Sequence, residues 1–200
     1  LVLSTYPGKK WQMAHAVGLD AIASAAAVAT DCSLTQFDLT NIPARLENEQ
    51  ILWPVASYRA AVRTLPNKLK NMLTKAWGEP EDDPDVVDNY FKFPAFREGC
   101  SLIALQPERG RPDIRDEEYH DLGRTPRHSY VAFYLWLQNE DIDAVIHMGA
   151  HGTLEWLPGK SVALSDECWP DALAGSMPFI YPFIVNLSLI HISEPTRLNP

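Results

Sequence analysis

The chain has 200 residues, with 17 Lys and Arg against 26 Asp and Glu, a formal net charge of -9 and 46% hydrophobic residues, enough apolar material for one ordinary domain core. Dominant disorder is excluded, and so is a protein that wraps nucleic acid or lies on anionic lipid, because both partners demand a positive surface. Cys32, Cys100 and Cys168 are far apart and in no CxxC spacing, which excludes a disulfide framework or thiolate zinc site and points to a reducing cytoplasm.

Leu1 to Ser4 is a short apolar run stopped by Tyr6-Pro7-Gly8, which predicts a strand and a turn. The opening lacks the basic-then-apolar order of a signal peptide and begins without Met, so a piece of a longer polypeptide is expected. WQMAHAVGLDAIASAAAVAT is Ala-rich and helical in composition, with a boundary at Gly18-Leu19-Asp20 ahead of a helix over Ala21 to Ala29. Between Ile42 and Trp77 the apolar residues recur at helical spacings, predicting two helices broken near Leu65-Pro66. Gly78 to Asp85, acidic and rich in Pro, predicts an exposed loop.

Ser101 to Gln106 predicts a buried strand, and residues 108–127 are charged and irregular. Ser129 to Gln138 is apolar nearly all round and predicts a buried helix, followed by a buried strand over Ile142 to Met148. No apolar run approaches the roughly 18 residues a membrane-spanning helix needs. After Asn186 the composition changes abruptly, and Leu187 to Arg197 read as the translation of a sequencing-library transposase adapter. Residues 187–200 are therefore set aside as a non-native tail, His191 included. The fold class expected for residues 1–186 is α/β, with mixed helices and short buried strands, in an incomplete piece of a larger multidomain protein.

The segment HMGAHGTLEWLPGK, 147–160, holds the densest set of reactive side chains, beyond the carboxyl end of a strand where α/β sheets gather ligands. Its glycines let the backbone turn tightly and bring His147, His151 and Glu155 together. A strand end bearing His147, a turn bearing His151 and a helix start bearing Glu155 is the economical arrangement. Two imidazoles and a carboxylate suit a borderline divalent ion such as Co²⁺ or Zn²⁺, and the same groups accept protons near neutral pH. The plain alternative is that His147 is a satisfied core histidine and Glu155 caps a helix. Gly159-Lys160-Ser161 ends like a phosphate-binding loop, but that motif needs Gly at 154, where Leu stands, and Pro158 removes a backbone N–H. No ATP site is expected on this chain.

HMGAHGTLEWLPGKSVALSDECWPDALAG with PFIYPFIVN resembles the CobN-type large subunits of aerobic, ATP-dependent cobaltochelatases, within the CobN and magnesium chelatase large-subunit family. LSTYPG, HAVGLDAIAS, LIALQPERG, YHD and PRHSYVAFYLWL follow in the family's order, so the resemblance covers residues 1–186 apart from the middle. Magnesium chelatase large subunits carry a similar segment with Phe and Met where this chain has Trp156 and Leu157. Trp156-Leu157, Glu167-Cys168-Trp169-Pro170 and Tyr181-Pro182-Phe183 favour the cobalt branch.

The resemblance implies part of the tetrapyrrole-binding subunit of a cytoplasmic, multi-subunit ligase that inserts Co²⁺ into hydrogenobyrinic acid a,c-diamide for cobalamin synthesis. ATP with Mg²⁺ would be hydrolysed on partner subunits, an AAA+ ATPase and its companion, and a fragment is not expected to be active alone. The alternatives are a magnesium chelatase large subunit (Mg²⁺ into protoporphyrin IX) and a non-catalytic module that binds tetrapyrrole or a partner. His151 and Glu155 are the catalytic candidates, and His147, His151 and Glu155 the metal ligands. Arg109, Arg124, Arg127 and Lys160, with Arg111 and Arg115, are candidates to bind macrocycle carboxylates; otherwise they pair with Asp113, Asp116, Glu117 and Glu118 on a solvated loop. Tyr130, Phe133, Tyr134 and Trp136 could stack on a tetrapyrrole but suit the core better. His15, in a stretch that resembles the family pattern, is a separate candidate that suits a structural role better; His120 and His128 have no partner that sequence can name, and Cys168 reads as a small buried residue.

Overall fold

The computed structural model describes residues 1–4, 15–16, 19–32, 41–110, 123–149, 154–160 and 165–181, with backbone alone at 15–16, 19 and 155. In chain order the strands are β1 (Val2–Leu3), β2 (His15–Ala16), β3 (Leu19–Asp20), β4 (Gln50–Pro54), β5 (Val86–Val87), β6 (Tyr90–Glu98), β7 (Ser101–Leu105), β8 (Val145–Met148) and β9 (Phe179–Ile180). The helices are α1 (Ala21–Asp31), α2 (Ile42–Asn48), α3 (Val55–Val62), α4 (Asn67–Trp77), α5 (His128–Asn139) and α6 (Trp169–Ala174).

The main sheet runs β4-β6-β7-β1-β8-β9, with β5 paired to β6. β7, β1, β8 and β9 are mutually parallel, whereas β4, β5 and β7 lie antiparallel to β6. This is the α/β class expected, and because successive strand residues face opposite ways, two cores form. Val2, Phe91, Phe93, Ala95, Leu102, Ala104 and Val145 pack under α3, α4, α5 and α6. Leu3, Phe96, Ile103 and Met148 face the other way, under α1 and α2.

α5 is the centre of the first core. Its residues from Ser129 to Leu137 are all buried, so it presents no polar stripe to solvent. Phe93 stacks on Trp136 at 5.1 Å between ring centroids and meets Phe133 edge-on at 5.5 Å. The aromatic residues of α5 are core, as their composition suggested.

Three expectations are corrected. Residues 15–16, counted as helical, are a strand paired to Leu19–Asp20, and the helix begins only at Ala21, where Asp20 accepts a hydrogen bond from the Ala23 N–H. Gln50–Pro54 is an edge strand and not helix: Trp53 alone is buried, and its neighbours alternate across the β6 ladder. The Gly78–Asp85 stretch contains a 3-10 turn, Pro80–Asp82, and buries Asp83. The break at Leu65-Pro66 stands, and the Met148 strand starts at Val145.

Asp83 is buried for a reason. Its carboxylate accepts from the Ser129 N–H at 2.9 Å, capping α5, and lies 3.6 Å from the buried Arg127 guanidinium, which also bonds Asp85 and the Glu108 carbonyl. Deleting one member of a buried ion pair leaves the other uncompensated. Arg127→Met is expected to cost about 3–5 kcal/mol, and Arg127→Met/Asp83→Asn measurably less. Urea unfolding followed by circular dichroism checks this, and equal losses in the two variants would argue against a buried ionic core.

Candidate functional site

The parallel strands β7, β1 and β8 end side by side, and each is followed or closed by a polar residue on the face toward α5. Val2 is in register with Ala104 and His147, so Gln106, Ser4 and His147 fall on that one face at the carboxyl ends. The Gln106 N–H donates to the Leu3 carbonyl at 2.9 Å and the Ser4 N–H to the Met148 carbonyl at 3.0 Å, extending both parallel ladders past the strands.

His147 is completely buried. Its Nε2 lies 2.5 Å from the Gln106 Oε1 and its Nδ1 3.3 Å from the Ser4 Oγ. Because a carbonyl oxygen only accepts, Nε2 carries the proton and Nδ1 accepts from the serine hydroxyl. The Tyr181 ring closes the remaining side at 5.2 Å. Burial pushes its pKa from 6.5 down to about 3, with the Leu1 amino group a smaller cause. In this arrangement neither ring nitrogen is open to a metal, and ligation through Nε2 would require the Gln106 bond to break.

Gly149 follows directly, and a Cβ there would lie 2.2 Å from Ser4 Oγ. Only glycine lets the chain leave the strand this close to β1. The segment returns as a 3-10 turn, Leu154–Trp156, anchored by the buried Leu154 and Leu157 in the first core. Gly159 has φ +123°, and a Cβ there would lie 2.6 Å from Cys168 Cβ. Cys168 is buried, as its surroundings in the sequence suggested.

His151 lies outside the described residues, as do Arg111, Arg115, His120, YHD and the tail at 187–200; at Glu155 the backbone alone is placed. Among the described residues no cluster of three or more His, Cys, Asp or Glu side chains forms. Arg109 is buried and its Nη1 donates to the Trp156 carbonyl. Arg127 is taken up by Asp83, Asp85 and Glu108 in the network that caps α5. Arg124 is half-buried and Lys160 exposed. Among the described candidate cations, Arg109 and Arg127 are thus tied into the fold in this arrangement. His128 is likewise internal, its Nε2 donating to the Gly78 carbonyl at 3.1 Å and its Nδ1 accepting from Tyr58 at 2.7 Å.

Ser4 and Gln106 were not singled out from sequence. Each is the first polar residue after a short apolar strand run, LVL and LIAL, and that interruption at a strand's carboxyl end is the signal that was there to read. A groove of about 380 Å³ opens beside Gln106, between Lys92, Pro94, Leu105 and Arg127.

The described part of the chain is thus a mixed α/β piece in which a glycine-rich segment follows a central parallel strand. Residues 1–188 match the family described as CobN/Magnesium Chelatase, and the chain belongs to that family. It is 37% identical to the aerobic cobaltochelatase subunit CobN of Pseudomonas aeruginosa over 93% of this chain and 17% of that protein. It is 42% identical to a magnesium-chelatase subunit of Chlorobaculum parvum, over 46% of this chain and 7% of that protein. The fold superimposes on the catalytic subunit of cobaltochelatase from Mycobacterium tuberculosis with a TM-score of 0.71 and 32% identity, covering 90% of this chain and 17% of that one. The chain thus spans about a sixth of the length of the cobaltochelatase relatives it matches. Among the described residues no helix is long and apolar enough to cross a membrane.

The neutral His147 makes stability depend on pH. The unfolded chain takes up this proton near pH 6.5 and the folded chain does not until about 3. Stability is therefore complete above pH 6.5 and falls as pH drops toward 3, by about 1.4 kcal/mol per unit. His128, also lowered by burial, adds in the same direction. Melting temperatures between pH 7.5 and 5 should fall less steeply for His147→Asn than for the parent chain, and parallel slopes would assign the effect to another group.

Proposed function

We propose that this chain is part of the tetrapyrrole-binding subunit of a cytoplasmic cobaltochelatase that inserts Co²⁺ into hydrogenobyrinic acid a,c-diamide in cobalamin synthesis. ATP is hydrolysed on partner subunits, an AAA+ ATPase with Mg²⁺ and its companion. The observation that supports the cobalt branch is the extent of similarity: alignment to the Pseudomonas cobaltochelatase subunit spans 93% of the chain, against 46% to 66% for the magnesium chelatase subunits of Chlorobaculum, rice and Rhodobacter. Leu154 and Pro158 in place of a phosphate-loop glycine and donor support an ATP site elsewhere.

Insertion requires that the pyrrolic protons leave and that the metal shed water. Glu155 and His151 are the groups of this chain that take those roles, Glu155 accepting protons and His151 delivering the metal. His147, neutral and held by Gln106 and Ser4, becomes a third ligand only if its Nε2 is released. Arg124 and Lys160 meet macrocycle carboxylates, with Arg109 and Arg127 available to them only on rearrangement.

In a full-length subunit reconstituted with its partners, His151→Ala or Glu155→Gln is expected to abolish cobalt insertion while tetrapyrrole affinity stays within about threefold, since a chemical group acts in the transition state and not on ground-state binding. Equal loss of binding and turnover would favour the non-catalytic binding module. Magnesium insertion into protoporphyrin IX by the same assembly would favour the magnesium branch, which the 42% identity to the Chlorobaculum subunit keeps in view.

Imidazole and carboxylate donors do not by themselves select Co²⁺, because affinity along the first-row series rises through Ni²⁺ and Cu²⁺. The full-length subunit is expected to bind Zn²⁺ or Ni²⁺ here at least as tightly as Co²⁺, and more weakly at pH 5.5 than at 7.5. Calorimetric titration of the parent and His151→Ala proteins tests this, and binding indifferent to both pH and substitution would remove the site.

A further inference from the structure

The loop that follows β7 touches the reactive segment twice, once on each side of the residues between Gly149 and Leu154. At its start, Gln106 receives the His147 Nε2–H. Three residues later, the buried Arg109 donates from Nη1 to the Trp156 carbonyl, immediately after Glu155. The loop itself is fastened at two further points. The Gln106 N–H is bound to the Leu3 carbonyl, and the carbonyls of Glu108 and Arg109 accept from the Arg127 Nε and N–H, both at 3.0 Å. Arg127 is in turn locked to Asp83 and Asp85 at the head of α5.

We propose that Gln106 and Arg109 are positioning residues: the loop 106–109 is a clamp that fixes the carboxyl end of β8 and the Leu154–Trp156 turn relative to one another. The physical case is one of entropy and donor strength. A segment containing Gly149 and Gly152 has a large conformational freedom to lose, and a guanidinium donating to a carbonyl out of water is stronger than a neutral donor. Holding both flanks on one stiff loop confines Glu155 without needing a contact to its carboxylate. While this bond is made, Arg109 acts through Trp156 and not by touching substrate. The consequence for turnover rests on the role given to Glu155 above, but the clamp itself does not.

Two measurements on the full-length subunit separate these claims. In hydrogen–deuterium exchange, Gln106→Ala and Arg109→Ala should each speed exchange in peptides spanning 145–157 by about tenfold, leaving peptides from β6 and α5 unchanged, as expected of a local opening. In the reconstituted enzyme each should lower kcat by about tenfold or more with KM for the tetrapyrrole within threefold, and Arg109→Lys, which keeps a charged donor, should recover most of the loss. Unchanged exchange at 145–157, or exchange that rises equally in β6 and α5, would overturn the clamp. Local opening with full turnover would uphold the clamp and instead count against Glu155 as a chemical group, which Glu155→Gln in the same assay checks independently.

Discussion

α5 is apolar on every side, and a helix of that kind must be covered on every side. The sheet covers one side through Phe91, Phe93 and Ala95, while Tyr58, Leu69 and Leu73 from α3 and α4 and Trp169 and Leu173 from α6 complete the shell. Most of what surrounds the site follows from this demand. The head of α5 needs its N–H groups met, and Asp83 meets one; the carboxylate needs a cation, and Arg127 supplies it; the guanidinium needs further acceptors, and the backbone of Glu108 offers one. The chain of obligations ends in the loop that carries Gln106 and Arg109, so the packing of an aromatic helix and the placement of the reactive segment are parts of one network.

The order of elements was legible wherever one signal dominated. α5, β7, the helix after Asp20 and the break at Pro66 are each announced by a continuous apolar run, a cap or a proline. β4 was not, because ILWP lies within a stretch whose apolar spacing also fits a helix, and short apolar runs do not distinguish the two periods. Its partner decides it: β6 supplies a five-residue ladder from Tyr90 to Pro94 that no property of residues 50–54 foretells. β6, YFKFPAFRE, was not anticipated: Phe91, Phe93 and Ala95 alternate inward with a period of two, but Pro94 in the run argues against a strand.

For the candidate site the sequence offers a location more readily than a set of roles. That ligand groups should cluster after the strand ending at Met148 follows from the grammar of parallel sheets. Whether a given histidine or arginine faces outward does not, since it depends on which neighbours long-range pairing delivers. His147 finds Gln106 from 41 residues away and Arg127 finds Asp85 from 42. A lone sequence carries the need for such partners but not their names.

β1 is only two residues long, yet among the described strands it joins β7, and with it the antiparallel part of the sheet, to β8. Ser4 and His147, joined at the site, are 143 residues apart in the chain. At ribosomal rates this separation corresponds to a wait of roughly seven to thirty seconds between synthesis of the two. For all of that interval the central strand has no parallel partner on one side and its Val2 and Leu3 have no finished core to enter. The nascent subunit therefore carries an unfinished apolar sheet centre through most of the synthesis of this region, a condition that favours capture by a chaperone and makes the assembly of the site one of the last events in the folding of this region.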